Sequence, residues 1–187
     1  MRSPVKIIVS IDKKFNDQTE SGIYIDTSYK PEHHVVITGK VEAIAMRLPK
    51  DFLSDQFYDT VKVGDKIYFH YLVLLDEDSR IYLDKDYYLV DYFQALATVR
   101  DGKVYPVGEH ILIEPMEEEV THSLLLIPDQ AKKVETNRGR VFASNDPEIP
   151  EGAIVEFEPV GKFENEIEGK KLYVMYNSNI LAKYEKE

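Results

Sequence analysis

The chain has 187 residues, with 34 acidic side chains against 23 basic ones and a formal charge of −11. Both halves share the sign, at 16 acidic against 13 basic up to residue 100 and 18 against 10 beyond it, which argues against nucleic acid and anionic membranes as partners. The absence of cysteine excludes disulfides, thiolate zinc sites and cysteine nucleophiles together.

Residues 1–4 lead directly into an alternating pattern rather than an apolar signal core. Apolar runs such as 71–75 and 124–127 fall far short of the roughly 18 residues that read as a membrane-spanning helix. With 43% hydrophobic residues the chain can bury a core, and a cytoplasmic folded protein is expected. In chain order, runs rich in Val, Ile, Tyr and Phe at 5–11, 35–44, 66–75, 87–90, 109–114, 140–143, 153–157 and 171–176 predict strands. Turn-forming Gly, Pro, Asp and Asn separate them. Only 52–57 and 92–96 have room for a helical turn, so the fold class is mostly β, and short strands at this spacing suggest small barrels or sandwiches.

An ordered set of internal matches divides the chain in two. Val9-Ser10-Ile11-Asp12 corresponds to Ile111-Leu112-Ile113-Glu114 at an offset of 102, and Ser21-Gly22-Ile23-Tyr24-Ile25 to Ser123-Leu124-Leu125-Leu126-Ile127 at the same offset. Gly39-Lys40-Val41 then matches Gly139-Arg140-Val141 at 100, Val63-Gly64-Asp65-Lys66-Ile67 matches Glu151-Gly152-Ala153-Ile154-Val155 at 88, and Leu96-Ala97 matches Leu181-Ala182 at 85. The order never changes and the offset only shrinks, as loops of unequal length require. Two tandem domains follow, 1–100 and 101–187. The extra residues between the first pair of glycines place a surface excursion around 47–59. Asp101-Gly102 lies between two β-like runs and predicts a tight two-residue hairpin.

Each repeat carries a long polar segment, 13–34 and 116–138, with one apolar cluster at its centre: Ile23-Tyr24-Ile25 in the first and Leu125-Leu126-Ile127 in the second. Polar loops of this length inside a small domain are commonly functional. An equally good reading from pattern alone makes each cluster a buried strand.

These segments resemble the 10-kDa co-chaperonin family of the GroES type, twice in tandem. The second repeat carries Val107-Gly108-Glu109-His110-Ile111-Leu112-Ile113-Glu114-Pro115, similar to the family's opening strand. Leu125-Leu126-Ile127-Pro128-Asp129-Gln130-Ala131-Lys132 resembles its apolar tripeptide and following motif, and Arg138-Gly139-Arg140-Val141 and Asn179-Ile180-Leu181-Ala182 resemble later strands. The first repeat contributes Gly22-Ile23-Tyr24-Ile25, Gly39-Lys40-Val41 and 61–69. Ser123-Leu124 stands where the family has Gly-Gly, Asp26 where proline is frequent, and the family's roof hairpin has no counterpart in the second repeat. Tandem forms occur in plastids and divergent ones in bacteriophages, and such departures fit a divergent, phage-type member.

The resemblance implies two GroES-like barrels, each with a long mobile loop whose tripeptide binds a group I chaperonin ring in its ATP- or ADP-bound form. It implies a co-chaperonin that caps that ring and assists folding, acts as a homo-oligomeric ring, and needs no cofactor of its own. The partner-binding residues are then Ile23, Tyr24, Ile25, Leu125, Leu126 and Ile127. A rival reading makes the duplicated barrels a structural module that builds a ring or decorates a viral particle.

No catalytic or metal motif competes. His33, His34, His70, His110 and His122 have no ligand spacing. The acidic run at Asp76-Glu77-Asp78 lacks the glycine and glutamate of a calcium loop and reads as a solvated turn. There is no Gly-x-Ser-x-Gly elbow and no glycine-rich phosphate cradle, so an enzyme is not expected.

Overall fold

The computed structural model describes residues 3–12, 15, 21–24, 37–46, 60–82, 86–119, 133–160 and 162–184. The chain separates into two compact units, Met1–Gly108 and Glu109–Glu187. The first holds β1 (Ile7–Ser10), β2 (Thr38–Ala43), β3 (Lys66–Phe69), α1 (Leu72–Leu75), β4 (Arg80–Tyr82), β5 (Asp86–Val90), β6 (Ala95–Arg100) and β7 (Lys103–Pro106). The second holds β8 (His110–Glu119), β9 (Lys133–Ser144), β10 (Ile154–Phe157), β11 (Phe163–Ile167), β12 (Lys170–Tyr176) and β13 (Ile180–Tyr184).

The sheet of the first unit has the order β4-β5-β1-β2-β3-β6-β7, with antiparallel pairing throughout. Its core gathers Ile7, Val9, Val41, Ile67, Phe69 and Tyr88, all essentially inaccessible to solvent. The second sheet runs β11-β12-β8-β9-β10-β13 over a core of Ile111, Ile113, Val141, Val155, Phe157 and Tyr173. Phe157 and Tyr173 meet edge to face, with ring centres 5.9 Å apart. The sequence suggested closed barrels, but the described pairings form open sheets. Closure would require the end strands to bond, and β4 has only three residues while β7 ends at Pro106, which has no N–H.

The single strand expected over 66–75 is a strand followed by a helical turn. After Phe69 the His70 N–H bonds the Gln94 carbonyl at 2.8 Å, and Val73 N–H turns back to His70 O at 3.1 Å. The turn buries Val73 and Leu74. A continuous apolar run carries no period that separates strand from helix, so its end is set by this tertiary bond. The turn expected near 92–96 is present as a 3-10 turn at Tyr92–Gln94. The acidic run forms another at Glu77–Ser79, capped by the Asp76 carboxylate on Asp78 N–H and Ser79 Oγ–H. The expected helical turn at 52–57 and the excursion at 47–59 lie outside the described residues.

Several backbone bonds recur at matched positions of the two units. Gly64 N–H donates to Val41 O and Gly152 N–H to Val141 O, both at 2.8 Å. Val41 N–H bonds Asp65 O at 2.9 Å, and Val141 N–H bonds Ala153 O at 2.8 Å. Gly39 and Gly139 each pass close to the strand beside them. A methyl group at Gly39 would reach 2.8 Å from Ser10 O, and one at Gly139 would reach 2.7 Å from Glu114 O, so neither position has room for a Cβ.

At the end of the first unit, Asp101 and Gly102 have φ of 51° and 75°. That is the left-handed pair a two-residue hairpin between twisted strands needs. The hairpin sets β6 on β7 with Arg100 opposite Lys103 and Thr98 opposite Tyr105.

Candidate functional site

The first candidate segment lies between β1 and β2. Ile23 is 66% exposed and Tyr24 76% exposed, directly after Gly22 at φ +82°. Two large apolar side chains displayed this way cost solvation and contribute little to the core described above. Ile25 lies outside the described residues, as do Leu125, Leu126 and Ile127 of the second segment.

The second segment is flanked by longer strands than the sequence suggested. Pairing of β8 with β9 runs from Ile111 opposite Ser144 to Pro115 opposite Gly139, shifts register, and resumes from Glu117 opposite Glu135 to Glu119 opposite Lys133. Polar composition masked this extension, because Glu, Lys and Asn are poor strand formers by propensity. The interval that holds Leu125 to Ile127 is therefore 120–132, shorter than the 116–138 read from composition.

The loop-bearing sheet of the first unit is held at the β6 end by an ion pair between the buried Asp65 and the partly exposed Arg100. The Arg100 guanidinium donates to both Asp65 oxygens, Nε to Oδ1 at 2.9 Å and Nη2 to Oδ2 at 2.6 Å, and also to Thr60 O at 3.3 Å. Lys62 N–H donates to Asp65 Oδ2 at 2.8 Å, so the carboxylate is well satisfied although it is buried. The bonds to Asp65 hold the Arg100 pKa above its ordinary value. Arg100 and Lys103 also flank the Tyr105 ring at 5.3 and 5.5 Å.

Sequence reasoning did not single out the far edge of the second sheet. There, among the described residues, β13 pairs with β10 alone, and Leu181 is 60% exposed. A cleft of about 360 Å³ opens beside it, lined by Pro150, Glu151, Gly152, Ala153, Ile154 and Tyr184 among others. The Tyr184 hydroxyl donates to the Glu156 carboxylate, which raises the phenol pKa above its ordinary value. The match of Leu96-Ala97 with Leu181-Ala182 was the signal available, but it carries no information on which copy is covered.

Among the described residues no cluster of three or more His, Asp or Glu could hold a metal ion. No helix among them is long and apolar enough to cross a membrane. His70 stacks on Tyr71 and His110 on Tyr176, each with ring centres 4.6 Å apart, so both packed histidines serve the fold.

Residues 103–184 match the family model of the chaperonin 10 Kd subunit, Cpn10. The match begins at β7, ends with β13, and covers somewhat less than half of the chain. No curated protein gives a significant match.

Proposed function

From a chaperonin 10 Kd domain at residues 103–184, we propose that the chain is a tandem co-chaperonin. Two GroES-like units act through Ile23, Tyr24 and Ile25 and through Leu125, Leu126 and Ile127. These segments dock on a group I chaperonin ring in its ATP- or ADP-bound state, cap it, and thereby assist protein folding. The chain works as a homo-oligomeric ring, and the nucleotide belongs to the partner. The family match carries this reading. Support for a second unit of the same kind comes from the matched hydrogen bonds at Gly64 and Gly152 and the two crowded glycines, Gly39 and Gly139. Support for the first docking segment comes from the exposure of Ile23 and Tyr24.

The energetics suit such a role. Burying three side chains of this size gives roughly 1.5–3 kcal/mol each. Ordering five loop residues costs about 1–2 kcal/mol apiece. The two nearly cancel, so a single loop binds weakly and a ring of loops binds tightly, because every contact after the first is intramolecular. Weak individual loops also permit release.

Native mass spectrometry of the chain with a group I chaperonin, with and without ADP, tests the proposal. The expected result is a nucleotide-dependent complex. A stable oligomer of the chain alone that ignores the chaperonin in both conditions would overturn it in favour of a structural module.

A further inference from the structure

An antiparallel ladder is as firm as its rungs, and opposed residues of like charge weaken the rung they share. The β8–β9 ladder of the second unit has two parts. Its inner rungs run from Ile111 opposite Ser144 to Pro115 opposite Gly139 and include Glu114 opposite Arg140, a pair of unlike charge. The register then shifts: from Pro115 to Glu117 the chain advances two residues on β8, and from Gly139 to Glu135 it spans four on β9. Pro115 has no N–H to give to the ladder, and extra residues on one strand interrupt pairing. The outer rungs beyond this break therefore gain little support from the inner ones.

These outer rungs are Glu117 opposite Glu135, Glu118 opposite Val134 and Glu119 opposite Lys133. Four glutamates thus share three rungs with one lysine, and the rung next to the break sets like charges opposite one another. Arg138, the next cation along β9 toward the core, is already engaged: it stands opposite Glu156 of β10, with Nε 3.7 Å from that carboxylate. Among the described residues the first unit has no such extension, since the pairing of β1 with β2 stops at Ser10 opposite Lys40.

We propose that the outer rungs form a two-state stem whose pairing is set by the charge on the Glu117–Glu135 rung. Paired, the stem leaves 120–132 between the strands, the interval that holds Leu125, Leu126 and Ile127. Unpaired, it adds 116–119 and 133–137, because the pairing of Pro115 with Gly139 and of Arg138 with Glu156 persists. The longer interval is close to the 116–138 that composition alone delimits. Each residue released must be ordered again when the segment docks, at a cost in chain entropy. Pairing therefore tightens docking, while repulsion across one rung keeps the paired state from being permanent. Screening by salt shifts the stem toward pairing. The effect on docking rests on the proposed function, whereas the two states of the stem are a property of the free chain.

Amide hydrogen exchange of the free, full-length chain decides the matter, with Ile111, Leu112 and Ile113 of the inner ladder as the internal standard. Glu117→Lys and Glu135→Lys each turn the like-charge rung into an unlike one. Each should raise protection over 117–119 and 133–135 roughly fivefold at low salt, with the standard unchanged. The doubly substituted chain restores a like-charge rung of the opposite sign and should lose that gain. An effect of net charge alone would instead grow from single to double. In the unmodified chain, about 0.5 M NaCl should raise protection over the same residues. Single variants without effect, a double variant more protected than either single one, or an unmodified stem already as protected as Ile111 to Ile113 would overturn the stem. With a chaperonin and ADP, the single variants should bind about threefold more tightly or better. Unchanged docking by single variants that do pair the stem would overturn its link to docking. No binding by any form would overturn the proposed function and leave the stem as exchange finds it.

Discussion

His70 sits where β3 stops, with its backbone N–H on Gln94 O and its Nδ1 accepting from Leu72 N–H at 3.3 Å. That bond requires an unprotonated Nδ1, and burial independently lowers the imidazole pKa below its ordinary 6.5. The folded chain thus binds this proton less readily than the unfolded chain does. Stability from this group is present above 6.5 and is lost as the pH falls through that value toward the lower folded pKa. His70→Asn, which keeps an acceptor without the titration, should lose less stability than the unmodified chain between about pH 7.5 and pH 5 in urea unfolding. Equal losses in the two proteins would show that His70 remains free to protonate in the fold.

Among the elements, the Val61-to-Lys66 turn and the end of β6 differ most in chemistry from their counterparts. Asp65 binds Arg100 through both oxygens, whereas the matched position in the second unit is Ala153. Asp65→Ala leaves a partly exposed guanidinium that can recover some hydration, so a loss of about 2 kcal/mol is expected rather than the full cost of orphaning a buried charge. Guanidinium unfolding should show that loss in the Met1–Gly108 transition only. The order of the strands and the matched glycines were legible in sequence because turns and close approaches restrict residue type. The helical turn Leu72–Leu75 was not, since an apolar run fits either structure until Gln94 supplies its partner. Nor were the polar ends of β8 and β9, where pairing overrides the poor propensity of Glu and Lys. That the described strands form open sheets was equally invisible, because closure depends on how end strands meet and not on their patterns.

For the molecule as a whole, the exposed Ile23 makes a clean probe of docking. Ile23→Ser should leave unfolding within about 0.5 kcal/mol, as for other solvent-facing changes. It should weaken chaperonin binding by about tenfold or more, since the loss repeats in every loop of a multivalent contact. Titration of the assembled protein against a chaperonin with ADP checks both halves, and undiminished binding would remove this segment from the contact. The apolar clusters were readable from the sequence as candidates, while the exposure of Ile23 and Tyr24 was not, because Ile-Tyr-Ile suits a buried strand equally well. One feature of the first sheet also bears on how the protein is made. Its strands β1 to β7 all lie within Met1–Gly108, and β1 cannot complete its pairing until Val90 has left the ribosome. Once β7 follows, the nascent chain holds a sheet in which β6 is already paired on both sides, before any of β8 has emerged. The second half is then synthesised beside a finished neighbour, so the slow, long-range step of β1 finding β5 need not compete with look-alike strands that do not yet exist.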